Sequence, residues 1–194
     1  MKRPLLLSLS ILCLVFVLQA CVAVAVIGVA GGTAAIVSHD RRSTGAFVDD
    51  ATIELKLRTA IREDKLLRGK IHVSIVSING SVLVSGETPT RKLYDRVIDH
   101  ARSTRGVKRV HNALTIEPQS SLANRGIDTW ITGKIKARML TDSSFDSTRV
   151  KVITENSVVY LMGLVTKNEA NKATEVARNT TRVKRVVRLF ELTD

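Results

Sequence analysis

HVSIVSINGSVLVSG, residues 72–86, decides the fold. Two runs of alternating apolar residues flank Asn79-Gly80, a dipeptide that accepts the positive φ angles of a type I′ turn, so the stretch predicts a two-stranded hairpin. Its echo lies 77 residues further on. INGSVLVSGET (78–88) aligns with ENSVVYLMGLV (155–165), which places Asn79 on Asn156 and Gly86 on Gly163. Asn156-Ser157 is a weaker signal for the same turn.

Working outward, the likeness extends on both sides. VDDATIELKLRTAIRED (48–64) matches GIDTWITGKIKARMLTD (126–142), with Asp50, Ile53, Lys56 and Asp64 on Asp128, Ile131, Lys134 and Asp142. Downstream, Val-Lys-Arg-Val at 107–110 recurs at 183–186. The offsets drift from 78 to 77 to 76, which places the length changes in loops and identifies a tandem duplication. Each copy opens with an amphipathic helix, since Ile53, Leu57 and Ile61, like Ile131, Ile135 and Met139, recur every four residues. The aspartates before these runs read as N-terminal caps.

A second helix is expected near 89–103 and 167–179, the latter opened by a capping box, Thr166 with Glu169. The last strand begins at each Val-Lys-Arg-Val and runs through Leu114 and Ile116, or through Phe190 and Leu192. The order helix–strand–strand–helix–strand predicts an α+β fold, two helices on one face of a three-stranded sheet, occurring twice. SSLANRG (120–126) reads as the connection between the copies.

The N-terminus is of a different kind. Lys2 and Arg3 precede an uncharged stretch from Pro4 to Ser38, and Leu18-Gln19-Ala20-Cys21 lies within it. A basic start, an apolar run and a small residue before a cleavage point describe a secretory signal. A cysteine at the next position resembles a bacterial lipobox, with Gln19 a mild departure from the usual pattern. That resemblance implies an acylated Cys21 as the first residue of the mature protein. The alternative is an uncleaved transmembrane anchor, although 35 residues in one helix would overshoot a ~30 Å hydrocarbon core. With Cys13 removed and Cys21 acylated, the folded part has no cysteine for a disulfide, a nucleophile or a thiolate metal site.

Thirty Lys and Arg against 18 Asp and Glu make the chain strongly basic, and without Lys2 and Arg3 the formal excess is still +10. Such a charge implies an anionic partner. In an exported lipoprotein that partner is an anionic headgroup surface rather than nucleic acid, and the strands lack the interleaved aromatics that stack bases. Catalytic signals are weak. His39, His72, His100 and His111 have no metal-ligand spacing with each other, and Asp99-His100 cannot face one substrate from a helix. Gly28 to Gly32 imitates a phosphate loop without the strand or the lysine. No catalytic residue, metal site or cofactor beyond the lipid on Cys21 is expected.

The duplicated αββαβ pattern, with Gly106, Val107, Val110 and Asn112 at the late strand entry, resembles the BON domain family. The second copy departs from it, carrying Arg182 for the glycine and Arg188 for the asparagine, and its turn is expected to differ because arginine does not readily take a positive φ. LQACVAVAVIG, DTWITGKIKARMLTD and YLMGLVT extend the likeness over nearly the whole chain, to the dual BON-domain outer-membrane lipoproteins of the DolP family. The expected organisation is a signal peptide at 1–20, the acylated Cys21 and a membrane-proximal linker over 21–46, BON domain 1 over 47–118, a linker over 119–125 and BON domain 2 over 126–194.

Trp130, the protein's only tryptophan, stands where the first copy has Thr52, with Lys134 and Arg138 one and two turns further on. An exposed indole among cations suits a membrane interface; a core or interdomain tryptophan is the equal alternative from periodicity alone. The resemblance implies that the first helix of the second domain binds anionic phospholipid, phosphatidylglycerol or cardiolipin. Trp130 would be the inserted anchor, Ile127 and Ile131 its apolar support, and Lys134, Lys136 and Arg138 the phosphate contacts. It further implies a non-enzymatic protein facing the periplasm that supports envelope integrity. The family's link to the outer-membrane protein assembly machinery and to division sites leaves a protein-docking adaptor as the alternative function. Gly133, inside this helix, has no explanation from the sequence.

Overall fold

The computed structural model describes residues 41–194. The signal peptide, Cys21, the segment up to Asp40 with His39, and the glycine cluster at 28–32 lie outside the described residues. The order is α1 (Thr44–Glu63), β1 (His72–Ile78), β2 (Ser81–Thr88), α2 (Arg91–Ser103) and β3 (Arg109–Ile116), then α3 (Leu122–Thr141), β4 (Lys151–Glu155), β5 (Val158–Val165), α4 (Lys167–Arg178) and β6 (Arg185–Leu192). Each half is the expected αββαβ unit. In each three-stranded sheet the hairpin is antiparallel and the last strand joins its second member in parallel, in the orders β1-β2-β3 and β4-β5-β6.

Both hairpin turns form as their sequences suggest, with Asn79 and Gly80 at φ 52° and 77°, and Asn156 and Ser157 at 53° and 64°. The repeated Val-Lys-Arg-Val then finds its role. The Lys108 amide donates to Gly80 O at 2.8 Å and the Lys184 amide to Ser157 O at 2.9 Å, so each basic phrase hooks the incoming strand onto the hairpin turn.

Two expectations at the helix starts need correction. Both first helices begin about two turns earlier than the aspartates indicate, with Ser43 and Ser121 as their N-caps, so the linker expected over 119–125 gives its last residues, from Leu122, to α3. Asp50 and Asp128 are therefore inside the helices rather than at their caps. Both are buried and reach across to the hairpin turns. Asp128 accepts from the amides of Asn156 and Ser157 at 2.9 and 2.8 Å. Asp50 accepts from those of Asn79 and Gly80 at 2.7 and 2.8 Å, and also from Ser77 Oγ and Arg42. A buried carboxylate is tolerated when it accepts this many bonds.

Each unit has its own core, in which α1 and α2 cover one face of the first sheet and α3 and α4 one face of the second. A third apolar cluster joins the uncovered faces, Val76, Ile78 and Leu83 of the first sheet meeting Ile153, Tyr160 and Met162 of the second. The sheets of residues 41–194 thus pack back to back with the helices outside.

Candidate functional site

The core stripe fixes what α3 can present outward. Ile131, Ile135 and Met139 are 1% exposed or less, which orients the helix and turns Trp130 toward solvent with 48% of its surface exposed. Of the two places open to this tryptophan, the structure thus takes the surface one. Lys134 Nζ lies 4.7 Å from the centre of the indole, one turn along the same helix. A second cation, the Arg182 guanidinium, stands 5.7 Å from it, from the turn that leads into β6. An aromatic ring with two cations over it, one edge open to water, combines the amphipathic body and the positive field that a headgroup layer accommodates.

Arg182 is the residue that sequence reasoning missed, and it overturns one expectation. The turn does not change when glycine gives way to arginine: Arg182 holds φ at 71°, in the same left-handed region as Gly106 at 100°. In the first copy a β-carbon at position 106 would come within 3.1 Å of Ile53. At Arg182 the conformation is kept at the ordinary expense of left-handed backbone, about 1–2 kcal/mol. The detectable signal was the substitution itself, an arginine where the duplicate needs glycine.

The remaining residues of the expected site divide. Ile131 is wholly buried in the core and cannot touch lipid, and Ile127 is half-buried against the same core. Arg138 is exposed but directed elsewhere: its Nη1 donates to Asn179 O at 2.6 Å and Thr180 Oγ1 at 3.0 Å, which ties α3 to the carbonyl end of α4. Lys136 is exposed, about 120° around the helix from Trp130 at 3.6 residues per turn. Gly133 faces outward, and a β-carbon there would meet nothing within 4 Å, so packing does not demand the glycine. Exposed Leu122 and Leu140, at 83% and 70%, lie about 80° from Trp130 on the side opposite Lys134. The outer face of α3 therefore carries Trp130, two leucines and small residues between them, bordered by Lys134, Lys136 and Arg182.

Elsewhere, His100 is occupied structurally, its Nε2 2.8 Å from Asp64 Oδ2, and His111 Nε2 lies 2.9 Å from Ser81 Oγ. Among the described residues one group, His72 with Glu87 and Glu155, could hold a cation, and it belongs to the sheets rather than to α3. No helix among the described residues is long and apolar enough to cross a membrane.

The profile of the BON domain matches residues 49–118 and 127–194. The chain is 40% identical over 177 residues to the outer membrane lipoprotein DolP of Haemophilus influenzae, covering 91% of each chain. It is 34% identical to a 21 kDa hemolysin of Actinobacillus pleuropneumoniae over 78% of each, and 27% identical to the osmotically inducible protein Y of Escherichia coli over 77% of this chain and 76% of that one.

Proposed function

Because this chain belongs to the BON-domain family, among its two-domain outer-membrane lipoproteins, we propose that its second domain binds anionic phospholipid through the outer face of α3. The observation that carries this reading is the half-exposed Trp130 held beneath Lys134 and Arg182. The indole would settle at headgroup depth while the two cations, joined by Lys136, meet phosphates. Each contributes about 1 kcal/mol near an anionic surface. Ile131 and Arg138 are not part of this contact.

Such a site is weak alone. An acyl chain on Cys21 would hold the protein to the outer membrane, facing the periplasm, so that the second contact becomes effectively intramolecular and weak affinity suffices. Selectivity for phosphatidylglycerol or cardiolipin would then bias where in the membrane the protein resides, as a binding protein of the envelope rather than an enzyme.

Vesicle flotation with protein lacking residues 1–20 and carrying Cys21→Ser tests this. Recovery with phosphatidylglycerol vesicles should exceed recovery with neutral ones severalfold, fall severalfold in Trp130→Ala, and decline as salt is raised. Equal recovery on both vesicles, or no loss on Trp130→Ala, refutes the reading. Crosslinks from residues 128–140 to proteins, with no flotation at all, would move the assignment to a docking adaptor.

A further inference from the structure

Where the two sheets meet, three ligand-type side chains converge that are far apart in sequence. His72 opens β1, Glu87 stands directly opposite it in β2, and Glu155 ends β4 in the other domain. One donor atom from each lies within 4.8 Å of the others, and His72 Nε2 is 3.6 Å from Glu155 Oε1. Glu87 is 2% exposed and Glu155 8%.

Two carboxylates buried together repel one another and lose their hydration. Here Asp128 adds a third negative charge, and Arg125 is the cation that faces them.

A separate observation points to the same place. Glu87 Oε2 accepts from Ser120, at 3.3 Å from Oγ and 3.4 Å from the amide, whereas the buried Oε1 accepts from no group. The other buried side-chain polar atom of this kind among the described residues is Ser85 Oγ, two residues earlier on the same strand. Alternation along β2 places both on one face, that of Leu83, which meets the second sheet. Roughly nine buried polar atoms in ten find a partner, so an unpartnered Glu87 Oε1 in a group with a histidine and a second glutamate calls for a ligand.

We propose that His72, Glu87 and Glu155 bind one divalent transition-metal cation of the zinc class, which ties the first BON domain to the second. One imidazole nitrogen with two carboxylates suits Zn²⁺ or Mn²⁺ and does not suit Ca²⁺, which takes six to eight oxygens. Tetrahedral ligands at ~2.1 Å from a metal stand about 3.4 Å from one another, so the three side chains close up by roughly an ångström on binding. Two ligands come from one sheet and the third from the other, so the cation bridges the apolar seam.

The test uses the whole acylated protein in detergent, stripped with a chelator and dialysed. Titration with zinc chloride should saturate at one equivalent per chain and raise the thermal midpoint. Cobalt(II) should bind competitively and report ligand-field bands of a nitrogen- and oxygen-bound centre. His72→Ala and Glu155→Gln should each weaken zinc binding at least tenfold and abolish the thermal response, while circular dichroism and the midpoint of the metal-free variants verify that they fold. Absence of zinc, cobalt and manganese uptake by the wild type at large molar excess overturns the proposal. So does unchanged zinc affinity in the His72→Ala/Glu155→Gln double variant, which would locate binding elsewhere, or uptake of calcium that ignores His72→Ala.

Discussion

Arg182 and Gly106 are the same position in two copies of one turn, and the difference between them isolates what the second domain gained. The backbone shape is common, so arginine's presence is explained by where its side chain goes, over the indole of Trp130. Arg182→Gly should therefore raise stability by about 0.5–1 kcal/mol in denaturant titrations, through relief of left-handed strain, and lower recovery on anionic vesicles severalfold. A loss of both properties would mean that the residue supports the fold instead. Single residues were also where the sequence was hardest to read. Asp50 and Asp128 were visible as a repeated pair, yet their position ahead of an apolar run has two physical meanings, a cap on their own helix or a reach to a distant turn. Only the partner amides, 28 to 30 positions away in sequence, distinguish them.

The elements themselves were largely legible, because period-two and period-four apolar patterns, an Asn-Gly turn and the Thr166–Glu169 capping box are local signals. Their starts were not. The first turn of α3 carries Leu122 at 83% exposed and no core residue, so periodicity could not see it, and Ser121 had to be recognised as a cap. Within this helix Gly133 is unconstrained by packing. Gly133→Ala should stabilise the protein by about 1 kcal/mol, the difference in helix propensity at an open position, as measured by the urea midpoint. A pair of glycines in the hairpins behaves in the opposite way. At Gly86 and Gly163 a β-carbon would sit 2.1 Å from the carbonyl oxygen of His72 or Arg149, which accounts for glycine at the same point of both hairpins.

Across the two domains, the sequence offered composition but no pairing. Val76, Leu83, Tyr160 and Met162 were apolar on the face opposite the helices, and what covered them was decided by the other copy. One ion pair also joins the two halves away from that seam. Arg41, ahead of α1, pairs with Glu169 of α4, which also bonds Arg149. Burial alone would raise the Glu169 carboxyl, but the Thr166 amide and the two guanidiniums outweigh it and lower it from 4.5 to about 2. A carboxyl depressed in the fold stabilises fully above pH 4.5 and loses that contribution as the pH falls toward 2, here on the order of 2 kcal/mol. Acid unfolding followed by circular dichroism should therefore steepen through this window and flatten in Glu169→Gln.

The back-to-back arrangement of the sheets also makes the protein two-sided. Its helix layers look in opposite directions, so a molecule resting on lipid by α3 turns α1 and α2 toward the aqueous compartment. One flank would grip the bilayer while the other, free of that duty, is left on display to whatever diffuses past.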